Sequence, residues 1–225
     1  MKKLLSIGLT ALIFAGCTQA QPQKIELTPD GRFFDIPPVE LLESIKDNIP
    51  SDDVTLVTDS DYPALEFTGP DEIETFIVAN NDTDDTTSLI SIGAFVPYKT
   101  SGDQVLNDYY FYELPKAVLE ALDVDDPDGM AKSAYRERLE YTYMGSAAEN
   151  GVKCQVSSVP LDDQTAYTAN IAPETNGYWK KKKKKKKTPH GLGSAAKKPV
   201  RYNHYYYIKD VVLCHQKMKG GYHEI

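Results

Sequence analysis

The chain has 225 residues, 41% of them hydrophobic and 10% aromatic, enough for one domain with a proper core, and its formal net charge is −8. Three cysteines and four histidines exclude a disulfide-dense scaffold and leave little for zinc or cysteine chemistry. The mean charge hides a split: residues 17–179 hold nine basic against thirty-one acidic residues, a net of −22, and residues 180–225 hold fourteen against two, a net of +12.

The first sixteen residues read as a secretory signal, with Lys2 and Lys3 before an apolar run from Leu4 to Phe14 and small residues just before Cys17. The eleven residues from 4 to 14 make about 16 Å of helix at about 1.5 Å per residue. A bilayer's hydrocarbon layer is roughly 30 Å thick, so the segment is expected to be cleaved and not to span. Phe14-Ala15-Gly16-Cys17 resembles the lipobox of bacterial lipoproteins, with Phe where the family usually has Leu. The resemblance covers the leader alone. It implies a diacylglyceryl group on the Cys17 thiol and a membrane contact through that lipid. With Thr18 and not Asp after the cysteine, it also implies a place in the cell envelope, on the outer membrane facing the periplasm if the host is Gram-negative.

Residues 17–29, rich in Gln, Thr and Pro, read as a tether. Residues 30–179 read as one acidic globular domain of the α+β class, with a mixed or antiparallel sheet and about three helices. Val39, Leu42, Ile45 and Ile49 recur at helical spacing between prolines, which predicts a short amphipathic helix. Residues 54–58 and 64–68 predict adjacent strands. Thr68 and Pro70 suit a helix start, although residues 75–79 suit a strand equally well. A polar loop at 81–88 leads to a buried strand in residues 88–96, and the tyrosine-rich residues 107–114 predict another strand. Pro115 then opens a helix. Residues 125–129 form the turn before a helix from about Met130 to Met144, whose core stripe is expected to be Met130, Ala134, Tyr135, Leu139 and Tyr143. Residues 151–159 and 164–171 predict closing strands.

Eight consecutive lysines, Lys180 to Lys187, open a polybasic low-complexity linker over residues 180–201, followed by a tail over 202–225. The run suits a solvated spacer, a grip on anionic headgroups or other polyanions, or a clasp onto the acidic body. Lysine codons are adenine-rich, and the abrupt change in charge and histidine content at this tract is also what a shifted reading frame produces. No residue after Trp179 is therefore given catalytic weight.

Candidate chemistry is sparse. Asn80, Asp82 and Asp84 match the first alternate positions of a calcium loop, but Asp85 stands where the turn needs glycine. Asp126 and Asp128 fit the third and fifth positions of a second such loop, in which Val124 occupies the first. Ser194 and Lys197 match the S-x-x-K pattern of penicillin-binding enzymes in the wrong order relative to Lys99-Thr100-Ser101-Gly102. Cys154 and Cys214 are left to pair in an oxidising compartment if the tail is in frame. Tyr109, Tyr110 and Tyr112 make a binding surface if exposed and part of the core if buried; on a strand, Tyr110 and Tyr112 would share one face. The function expected is non-catalytic binding or structural work in the envelope, with no cofactor and with an envelope protein or polymer as partner; nucleic acid is not expected. The alternatives are a carboxylate-dependent hydrolase of envelope glycans and polyanion binding through the polybasic tail.

Overall fold

The structure, a computed structural model, describes residues 25–179 apart from 60, 61, 82 and 142. The elements in chain order are α1 (Pro38–Lys46), β1 (Thr55–Val57), β2 (Ala64–Thr68), β3 (Glu74–Asn80), β4 (Leu89–Pro97), α2 (Gln104–Asp108), α3 (Leu114–Ala121), α4 (Pro127–Tyr141), β5 (Met144–Glu149), β6 (Val152–Pro160) and β7 (Gln164–Pro173). A π turn, Tyr109–Glu113, fuses α2 to α3, so the helical layer consists of three bodies. The seven strands form one antiparallel sheet in the order β1-β2-β3-β4-β7-β6-β5. This is the α+β arrangement that the predicted helices and strands lead one to expect.

The connectivity follows from hairpins. β1 to β4 meander; the chain then crosses the sheet through the helices, enters at the far edge as β5 and returns through β6 to β7, which seals against β4. The β5–β6 hairpin turns on Asn150 and Gly151, both at positive φ (49° and 80°), the conformation that the two-residue Asn-Gly turn favours. All helices cover one face. Ile77, Ala79, Ile90, Ile92, Ala94, Val156, Ala169 and Ile171 point from the strands toward Leu41, Leu42, Ile45, Phe111, Val118 and Ala134. α4 crosses β5 so closely that a side chain on Gly145 would strike the backbone of Ala134 and Arg138. No helix among the described residues is long and apolar enough to cross a membrane.

Three expectations change. Residues 107–114 are helical and not a strand, because the Asp103 carboxylate caps α2 by accepting the Val105 N–H at 2.7 Å and the chain then passes through the π turn. The last helix ends at Tyr141, and Met144–Glu149 is edge strand β5. Of the predicted tether, residues 25–29 belong to the body: Leu27 bridges Phe34, and Ile25 and Leu27 pack on the core. The segment from Thr68 resolves into a short 3-10 turn, Pro70–Glu72, followed by β3.

Candidate functional site

The tyrosine stretch is core. In the π turn the Leu114 N–H reaches back to the Tyr109 carbonyl, and the wide turn sends three consecutive aromatic rings, Tyr109, Tyr110 and Phe111, inward. Tyr109 and Tyr110 meet edge to face at 5.0 Å, Tyr110 meets Tyr167 at 5.8 Å, and Phe111 lies 4.5 Å from Tyr167. The Tyr110 hydroxyl shares a 2.9 Å hydrogen bond with Thr75 Oγ1, and burial pushes its pKa up to about 12 against that bond. Tyr109 is pushed up further by burial, and its hydroxyl is buried with no hydrogen-bond partner. Tyr112 is half-buried and donates to Asp128, which raises its pKa. These three tyrosines therefore offer no common exposed platform.

The candidate calcium ligands are engaged locally. Asp126 caps α4, accepting the Gly129 N–H at 2.9 Å. Asp128 binds Lys132 at 2.7 Å and Tyr112, and these partners hold its carboxyl below the usual range. Asp84 is exposed in the turn before β4, and Asp82 lies outside the described residues. Among the described residues no three His, Cys, Asp or Glu side chains converge to hold a metal ion. Cys154 is fully buried on the helix-covered face of β6, where burial pushes its thiol up to about 12. Cys17, Ser194, Lys197, Cys214 and the lysine run lie outside the described residues.

Carboxylates do line one cleft of about 450 Å³, beside α1, formed by Asp35, Glu40, Glu43 and Asp47 with Ile25, Ile36, Pro37 and Ser44. All four acids are exposed. The carboxylates whose acidity is displaced, Asp30, Asp53 and Asp128, are all moved downward, chiefly by hydrogen bonds from Thr28, Ser51 and Lys132 respectively. A glycosidase needs the opposite, a carboxyl held protonated by burial.

Arg138 is the functional-looking residue that periodicity misses. It replaces the expected Leu139 on the buried face of α4, with its guanidinium 3.8 Å from the Phe111 ring centre and Nη2 donating to Ser158 Oγ at 3.0 Å. Its Nε is buried and unpartnered, and desolvation lowers its pKa. Leu139 and Tyr143, expected in the core, stand instead in solvent.

That displacement reveals an asymmetry between the two ends of the domain. Of the seven exposed large apolar side chains among the described residues, six lie away from the end that holds the described termini: Tyr98, Val105, Leu139, Tyr141, Tyr143 and Met144, each 40–69% exposed. The opposite end holds both described termini. Leu27 pairs with Phe34 and lies against Gly151 at the β5–β6 turn, and Trp179 Nε1 donates to the Pro173 carbonyl, where β7 finishes, at 2.9 Å. β7, ten residues long, spans about 33 Å at about 3.3 Å per residue, and Tyr143, opposite Ser158 and so level with Tyr167, lies about 20 Å along the strand direction from its Pro173 end. Comparison of the chain with protein-family models, curated proteins and solved structures finds no match.

Proposed function

We propose that this chain is a lipid-anchored cell-envelope protein whose acidic α+β domain binds a partner without catalysing a reaction. The observation that carries the reading is the polarity just described: the chain enters and leaves the domain at one end, while six of the seven exposed large apolar side chains among the described residues lie away from it. A lipid on Cys17 leashes that end to a bilayer and leaves those side chains clear of it. The lysine run that follows Trp179 begins from the leashed end, where ammonium groups meet anionic headgroups. Against hydrolysis in the cleft stands the exposure of its four acids.

The anchor is tested by mass spectrometry of the product from its native cell. The expected mature chain begins at Cys17 and carries acyl chains, and Cys17→Ala releases it from the membrane fraction. A chain that keeps its first sixteen residues, or begins at an unacylated Cys17, contradicts the reading.

A further inference from the structure

We infer that the segment after the basic linker, residues 202–213, lies across the face of the sheet that the helices leave open. The inference goes beyond the binding reading above and needs neither the lipid anchor nor a partner.

Strand alternation defines that face. Ile77, Ile92, Ala169 and Val156 point to the helices, so the residues next to them in each strand point the other way. The register aligns Phe76, Gly93, Thr168 and Ser157 in one row across the sheet, and Val78, Ser91 and Asn170 in the next. A sheet face with nothing on it is wet, but this one is dry: Phe76 is 2% exposed, Val78 3%, Ser91 1% and Asn170 5%. The Phe76 ring rests on Gly93, where a Cβ would come within 2.3 Å of the ring carbons, so a bare sheet would leave the outer side of the ring in water. Among the described residues its cluster consists of strand side chains alone, Ala64, Val78 and Phe95, which lie beside the ring and not over it. The polar side chains of the face bond across the strands, Ser91 to Asn170 at 3.0 Å and Ser157 to Thr168 at 2.7 Å, as burial requires. All of these are buried within a single chain, so their cover belongs to the same chain.

Two stretches lie outside residues 25–179. The N-terminal one joins the body on the helix side, because Ile25 packs on the helix-covered core. Without its leader it holds only Cys17 to Lys24, with no large apolar side chain after the cysteine. The C-terminal one leaves at the margin of the open face. Lys153 neighbours inward-facing Cys154 in β6 and so points outward, and its ammonium lies 5.0 Å from the Trp179 ring centre. Residues 202–213 contain four tyrosines, an isoleucine, two valines and a leucine, the side chains that pack on a pleated apolar surface. From Lys153, Phe76 is three strands across and four residues along, about 20 Å at about 4.8 Å per strand and 3.3 Å per residue. The linker of residues 180–201 spans about 25 Å as a flexible chain, enough to bring the segment back. Opposite charges, −22 on residues 17–179 and +12 on residues 180–225, favour the return.

The test reads the alkylation rate of a thiol placed on the face, Ser91→Cys, in the mature chain of residues 17–225, by site-resolved mass spectrometry under reducing conditions. The thiol is expected to react slowly, and removal of residues 202–225 is expected to speed it by about tenfold or more. Fully buried Cys154, on the other face, is expected to stay unreactive in both chains, which shows that the core remains closed. If truncation opens the core, the Tyr205→Ser, Tyr206→Ser, Tyr207→Ser chain supplies the same comparison at full length. The inference is overturned if the Ser91→Cys thiol reacts in the mature chain as fast as an exposed one. An unchanged rate after removal of the tail, the outcome that an out-of-frame tail gives, overturns it too. So does a thiol protected only while residues 1–16 are attached, or one whose protection is lost on dilution, which would make the cover a second copy.

Discussion

Adjacent residues Tyr109 and Tyr110 carry opposite consequences for the same hydroxyl group. Both are buried, but Tyr110 Oη is paired with Thr75 Oγ1, which in turn donates to the Ile73 carbonyl, whereas Tyr109 Oη has no hydrogen-bond partner. Leaving a buried hydroxyl unpaired costs about 1–3 kcal/mol, while a satisfied one contributes about 1. Tyr109→Phe is therefore expected to raise stability by about 1 kcal/mol and Tyr110→Phe to lower it by about the same amount, measured by urea unfolding. Equal changes in both would contradict the placement of the rings. The sequence shows three tyrosines close together but not which hydroxyl finds a partner, because Thr75 lies on β3, far from the π turn in the chain, and the pairing exists only after folding. Arg138 was illegible for a related reason. A charged residue scores against burial until a ring such as Phe111 and a hydroxyl such as Ser158 Oγ arrive to receive it.

Helix α4 and strand β5 form a tight unit that depends on one missing side chain. Gly145 faces the Ala134 carbonyl and the Arg138 N–H, both backbone groups that cannot swing aside. Gly145→Ala is expected to cost about 2–3 kcal/mol and to shift the urea midpoint down without changing the slope. A loss under about 0.5 kcal/mol would mean that α4 rides higher over the sheet than described. The strands at 64–68, 88–96, 151–159 and 164–171 were legible because apolar and β-branched residues run between turn residues. β5 was not: its Gly, Ser and Ala side chains carry little β signal, and the Asn150-Gly151 pair that marks its hairpin was the clue to it. The stretch around Tyr109 misled for the opposite reason, since aromatic residues favour strands on average and the π turn buries consecutive rings in a way that neither the helical nor the strand period anticipates.

For the molecule as a whole, the charge division is plain in the sequence, whereas the placing of exposed apolar side chains away from the terminal end appears only once the strand register is known. Tyr98 follows β4 and Tyr143 precedes β5, and the antiparallel order β4-β7-β6-β5 places both away from the end that holds Trp179. The central claim is that these two ends face opposite ways relative to the membrane. The chain contains a single tryptophan, Trp179, placed at the terminal end, so energy transfer from it to a dansyl-labelled headgroup lipid reports that end's distance from the bilayer. The acylated chain in anionic vesicles is expected to show strong transfer from Trp179 and weak transfer from the Trp179→Phe, Tyr143→Trp variant. Equal transfer from both positions, or stronger transfer from position 143, would contradict the account.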